Sequence, residues 1–286
     1  MKLPAIHSFS SISFSLLATV SAFAAGPAQP SWDVPTAATA PAVVIPANVA
    51  GQPAANNEKS TDLLDRVRVA NEELFSNLQS FVCNEQMERF KGSVKAESGK
   101  HIDSVTAKVS FENGIEHYSD ILQNKRQRTN IWDIQGAWSE GEFGTLLRQT
   151  QQLLSTQTAQ FERYADLNGT ASAVYSLEVA SENSPWDLTI ESHHYHIAFR
   201  TEIWVNRTSG EILKIERTSN GIPPTMGISE ISWGVTLQQV QLNGKTWLLP
   251  QTGDYSVSYA LTGHREWNQM SFSNYHRYGS EVALSF

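Results

Sequence analysis

Residues 104–114 read Ser-Val-Thr-Ala-Lys-Val-Ser-Phe-Glu-Asn-Gly, and this stretch decides the fold. Val105, Ala107, Val109 and Phe111 fall on one side of an extended chain, with Ser104, Thr106, Lys108 and Ser110 on the other. A period of two describes a strand with one covered and one wetted face, the habit of antiparallel sheets. Asn113-Gly114 then ends the strand, because a type I′ hairpin turn needs positive φ at both central residues.

The same alternation recurs along the chain. It is found in Ala171, Ala173, Tyr175, Leu177 and Val179, in Trp186, Leu188 and Ile190, in Ile231, Trp233, Val235 and Leu237, and in Tyr255, Val257 and Tyr259. Asn168-Gly169 and Asn243-Gly244 repeat the turn, and Thr208-Ser209-Gly210 and Thr262-Gly263 supply two more. The spacing predicts roughly eleven or twelve strands, mostly joined as sequential hairpins.

Two stretches depart from this period. After Ser60, an expected N-cap with Asp62 in the first turn, Leu63, Leu64, Val67, Ala70, Leu74, Phe75, Leu78 and Phe81 recur at helical spacing, while Asp65, Arg66, Arg68, Glu72 and Glu73 take the other face. In 141–154, Phe143, Leu146, Leu147, Thr150, Leu153 and Leu154 do the same, entered through Gly141 and Gly144. This second helix packs as a fixed plug or moves as a lid, and its glycines would let it swing. The fold class is mainly β, a β-rich α+β domain.

At the start of the chain, Lys2, an uncharged apolar run over 9–20 and Ala22-Phe23-Ala24 give the three-part layout of a cleavable signal peptide, 1–24. The run falls short of the about 20 apolar residues that a bilayer-spanning helix needs. Residues 25–57 are rich in Ala and Pro and read as a disordered tether. A single β-rich domain fills 58–286. The expected location is the periplasm or outside the cell.

A net charge of −8 without a basic cluster argues against nucleic acid and anionic membrane surfaces as partners. Cys83 is the sole cysteine, so no internal disulfide can form, and in Phe81-Val82-Cys83 it reads as a buried, inert thiol. His193-His194-Tyr195-His196 brings two imidazoles at most to one face of a strand, where zinc wants three or four ligands. It reads as a solvated loop, so no metal and no cofactor are expected. Gly227-Ile228-Ser229-Glu230-Ile231 lacks the last glycine of a nucleophile elbow. A glycosidase needs two converging carboxylates, and 29 acidic residues offer no means of choosing a pair. The reading is non-enzymatic. Trp186, Trp204, Trp233, Trp247 and Trp267 all fall in strand-like runs, where rings fill a β core or line an apolar site.

Three hairpins carry a family likeness: Asn113-Gly114-Ile115-Glu116-His117-Tyr118-Ser119-Asp120 leading into Asn124-Lys125-Arg126, Ile203 to Leu213, and Leu242 to Pro250 with its closing Leu-Pro pair. With the signal peptide, the N-terminal helix and the central helical insertion, the chain from 60 to 278 resembles the periplasmic lipoprotein-carrier superfamily. The resemblance implies a half-open β-barrel, or curved antiparallel sheet, with helices packed on its concave face. It also implies a lipid, an acylated protein or another apolar ligand, and envelope proteins as partners. The carriers' signature residues are not found, so no gating arginine is carried over. On this reading the ligand-binding face is Phe111, Tyr175, Leu177, Trp186, Trp233, Leu237, Tyr255 and Val257, beneath a lid carrying Phe143, Leu146 and Leu147. A tethered interaction module with a fully packed core is the alternative. Behind it come an outer-membrane barrel, suggested by the terminal Val282-Ala283-Leu284-Ser285-Phe286 but interrupted by Arg200, Glu202, Lys214 and Glu216, and an envelope-polymer hydrolase.

Ala22 and Ala24 are the small residues that a cleavage site needs, so N-terminal sequencing of the exported protein is expected to give a chain beginning at Ala25 or within a residue or two of it. Exported protein that keeps Met1 would overturn this.

Overall fold

The computed structural model describes residues 13–14, 54–78, 81–96, 98–190 and 193–277. Apart from β1 (Ser13–Phe14), the signal peptide lies outside the described residues, as do the tether up to 53 and the C-terminal segment 278–286. Helix α1 (Ala54–Leu78) starts ahead of Ser60, because Ala54 and Ala55 favour a helix and extend it upstream. It stops at Leu78. Phe81 therefore belongs to the first long strand, β2 (Phe81–Ser93), and not to the helix.

The strands β3 (Lys100–Glu112), β4 (Ile115–Gln123) and β5 (Arg126–Gln127) follow as hairpins. Then come helix α2 (Thr145–Thr156), β6 (Gln160–Leu167), β7 (Thr170–Val179), β8 (Asp187–Ile190), β9 (His193–His196), β10 (Phe199–Asn206), β11 (Ile212–Ser219), β12 (Ile228–Leu242), β13 (Lys245–Tyr259) and β14 (His264–Arg277). Eleven of these form one curved, wholly antiparallel sheet in the order β5-β4-β3-β2-β14-β13-β12-β11-β10-β7-β6, open at both ends. The remaining three make a small sheet, β1-β8-β9.

The turns follow from the sequence. Asn113-Gly114, Asn168-Gly169 and Asn243-Gly244 all take positive φ at both residues, 52° and 82° in the first, as the type I′ hairpin requires. Asn124-Lys125 does the same between β4 and β5.

This order has a topological consequence. β2 and β14 are neighbours in the middle of the sheet, with Met87 opposite Met270, while β5 and β6, consecutive among the strands, lie at opposite edges. The chain between them, 128–159, must cross the sheet. It does so over the inward face, carrying the short turn Ile131–Asp133 and then α2. Inward residues alternate along each strand, as in Phe81, Cys83, Glu85, Met87 and Arg89 of β2 and Val105, Ala107, Val109 and Phe111 of β3, and all are buried.

Helix α1 packs Leu63, Leu64, Val67, Leu74 and Leu78 into the same core and sets Phe75 edge-on to Phe111, with ring centroids 5.4 Å apart. Its Arg68 Nε donates to the Leu154 carbonyl at 2.9 Å, fastening it to the far end of α2. No helix among the described residues is long and apolar enough to cross a membrane.

The glycines before α2 have a packing role. A Cβ on Gly144 would lie 2.5 Å from the Phe111 ring, and one on Gly141 2.8 Å from Trp233. They allow close approach. Gly144→Ala is therefore expected to cost about 1–3 kcal/mol through overpacking, read as a lower denaturant midpoint at unchanged slope.

Candidate functional site

The eight residues expected to form a ligand face do converge. Phe111, Tyr175, Leu177, Trp186, Trp233, Leu237, Tyr255 and Val257 belong to one apolar cluster, none more than 5 % exposed. Leu146 and Leu147 of α2 cover them, together with Phe143, which sits just before the helix. In this state the trough is filled by the chain's own side chains and helices.

What the sequence reading missed is a set of polar groups inside that trough. In the β3–β4 register Glu116 lies opposite Phe111 and Tyr118 opposite Val109, so both point inward. The Glu116 carboxyl accepts the Gly144 N–H at 2.7 Å, the Thr145 and Gly141 N–H groups at 3.0 Å each, and the Tyr118 hydroxyl at 2.6 Å. Helix α2 has no capping side chain of its own. Its first N–H groups need acceptors, and a carboxyl at a helix N-terminus also meets the positive end of the helix dipole. Glu116 therefore fastens the plug from the opposite strand.

Three more carboxyls gather beside it. Glu142 is buried and accepts from Ser139 Oγ and from Trp233 Nε1, the latter at 2.7 Å. Its second oxygen and one oxygen of buried Glu85 have no partner among the described residues. Burial first, and then the Glu116 charge, push Glu140 and Glu142 up to about 8. Burial and then the Glu142 charge push Glu85 well above the usual carboxylate range. Burial also raises Glu116, outweighing the hydrogen bonds that oppose it. Cys83, next inward along β2, is fully buried, and burial together with the Glu85 charge pushes its thiol up, which makes it a poor nucleophile.

The rest of the crossing segment is pinned in the same style. Arg89 forms a buried pair with Asp103, at 2.6 and 2.9 Å, and donates to the Gln135 carbonyl at 2.8 Å. Ala137 donates its N–H to Glu266 and accepts from Asn268. Farther along, Arg217 of β11 donates through Nη1 to Gln149 of α2, enclosed by the rings of Phe199 and Trp233. Arg89, Asp103, Arg217 and Asn268 stand at buried strand positions where the alternation calls for an apolar residue. That phase is the signal that marks them.

The histidines are not a loop. His193–His196 is strand β9, pairing with β8, because Asp187 and Thr189 supply partners for His194 Nδ1 at 2.8 and 3.2 Å. Among the described residues no group of three or more His, Cys, Asp or Glu is placed to hold a metal ion.

No family model and no curated protein matches the chain. Among solved structures it is similar to the crystal structure of a DUF1329 family protein from Desulfovibrio piger ATCC 29098. The match has 10% identity and a TM-score of 0.39, and covers 79% of this chain and 94% of that one.

The carboxyl cluster makes stability depend on pH. Carboxyls held neutral in the folded state stabilise it fully below their ordinary value of 4.5, and that stability is lost as pH rises toward about 8. Around Glu140 and Glu142 stand Glu85 of β2 and Glu116 and Tyr118 of β4; Cys83 of β2 and Tyr275 of β14 lie beside Glu85, and the cation Arg148 of α2 lies beside Glu116. Thermal melts are expected to fall in Tm from pH 5 to pH 8. Glu142→Gln is expected to flatten that slope and to be the more stable protein at pH 8.

Proposed function

We propose that this is an exported, non-enzymatic envelope protein that receives the apolar chain of a lipid or acylated protein in the trough beneath α2. The observation that carries the reading is how the cover is held. The segment over the apolar face is fastened by Glu116, Glu142 and Arg217, and two of these, Glu142 and Arg217, keep buried polar atoms without a partner among the described residues. A buried polar group left short of partners calls for an explanation, and buried acids with strongly raised pKa cluster at functional sites. A cover fastened at a few such points can be released by exchanging those bonds for bonds to water or ligand. Once released, it exposes a face on which each inserted CH₂ is worth about 0.8 kcal/mol.

The resemblance to lipoprotein carriers supports the same reading. So does the run of small residues at the expected cleavage site, which supports export to the periplasm or beyond. The nearly complete burial of all eight trough residues favours a second reading, a tethered interaction module with a packed core.

Binding of a fluorescent fatty-acid probe separates the two. The carrier reading expects micromolar binding, abolished by Trp233→Asp with the β circular-dichroism signal intact. It further expects tighter binding in Glu116→Ala, since losing a cap costs a helix start about 1–2 kcal/mol and so loosens the cover. Absence of probe binding in both the wild type and Glu116→Ala selects the interaction module.

A further inference from the structure

Under the plug, Arg217 has no counter-ion among the described residues. It is 0 % exposed on the inward face of β11, opposite Trp233 in the strand register. Its guanidinium carbon lies 4.5 Å from the Phe199 ring centroid and 5.5 Å from that of Trp233. Nη1 donates to Gln149, a neutral acceptor, while Nε and Nη2 have no acceptor among the described residues. Trp186 packs on the same two rings, at 5.7 Å from Phe199 and 5.9 Å from Trp233, and its Nε1 also has no acceptor. Burial alone lowers the arginine to about 9, and no acidic side chain acts to raise it. Glu142 is held by the Trp233 indole N–H and by Ser139.

Three unmatched donors and one positive charge therefore end in a box of aromatic rings. A buried cation is ordinarily paired. The group that would complete this box must accept hydrogen bonds, carry negative charge and be attached to something apolar that tolerates ring walls.

We propose that Arg217, with the Trp186 indole N–H, is the head-group site for an anionic amphiphile, a carboxylate or phosphate at the end of an alkyl chain that lies along the trough. This rests on the carrier reading and names its substrate class. The arginine fork fits a planar carboxylate or a phosphate with two parallel bonds, which an ammonium could not offer. Gln149 belongs to α2, so the movement that uncovers the trough also takes Gln149 from Nη1. The plug and the head group then compete for one guanidinium, and each head group bound holds the cover open.

The test compares a fluorescent fatty acid, its methyl ester and inorganic phosphate on the full chain. The wild type is expected to bind the acid at least tenfold more tightly than the ester. Arg217→Met is expected to bind the ester unchanged and to lose the preference. Arg217→Lys, which keeps the charge without the fork, is expected to retain part of it. Methionine fills a similar volume without burying a charge, so the melting temperature of Arg217→Met is expected to equal or exceed that of the wild type. Equal binding of acid and ester by the wild type, or a preference that survives Arg217→Met, overturns the head-group site alone. Stabilisation by inorganic phosphate without any acid preference makes it a free-anion site and overturns the amphiphile assignment. If neither acid nor ester binds, the carrier reading fails and this inference with it.

Discussion

Four donors converge on the carboxyl of Glu116: three backbone N–H groups at the start of α2 and the hydroxyl of Tyr118. A helix that begins inside a core leaves its first amides without partners unless something outside the helix accepts them. Here the strand directly beneath supplies the acceptor. The rest of the arrangement depends on that bond. It fixes where the crossing segment turns into a helix, and so how closely Gly141 and Gly144 approach Trp233 and Phe111. It also brings Glu142 within reach of the Trp233 indole. The inward face of an open sheet needs a cover. The chain that joins its two edges takes that place, and Glu116 holds it there.

Trp233 divides the polar content of the trough. On one side stand Glu85, Glu116, Glu140 and Glu142, each pushed toward its neutral form. On the other stands Arg217, with no acidic partner among the described residues. The indole donates its N–H to the acid side and offers its face to the guanidinium. The two groups do not neutralise one another: no ion pair joins Arg217 to these carboxyls among the described residues. The arrangement is the reverse of what stability alone would select and suits a trough that exchanges partners.

Much of the fold was legible in the sequence because the strand signals are local. Val105 to Phe111 and the Asn-Gly pairs specify hairpins from side-chain alternation and backbone chirality, without help from distant contacts. The apolar residues of the trough followed from the same alternation. The polar residues did not, because Glu85 and Arg217 break the pattern that served as the guide, and a break reads as noise until the register shows which strands are neighbours. The His193–His196 strand was illegible for a related reason. Asp187, which partners His194, is found only through the pairing of β8 with β9. The placement of β2 beside β14 had no local signal at all.

That placement governs how the molecule must come together. Chain emerging from the amino-terminal end can complete the β2–β5 meander early, and later the run from β6 to β13, whose one skip is the pairing of β7 with β10 past β8 and β9. The seam between meander and run cannot close until β14, the last strand, is present, with nearly the whole domain lying between the two partners. Contacts of such high sequence separation carry the largest loop-closure entropy and tend to be slow. Until then β2 presents an unpaired edge, an invitation to pair with another chain. A protein with this seam has a long interval during its birth when half of its sheet is finished and the other half is still waiting, and that interval is where a holding chaperone would find it.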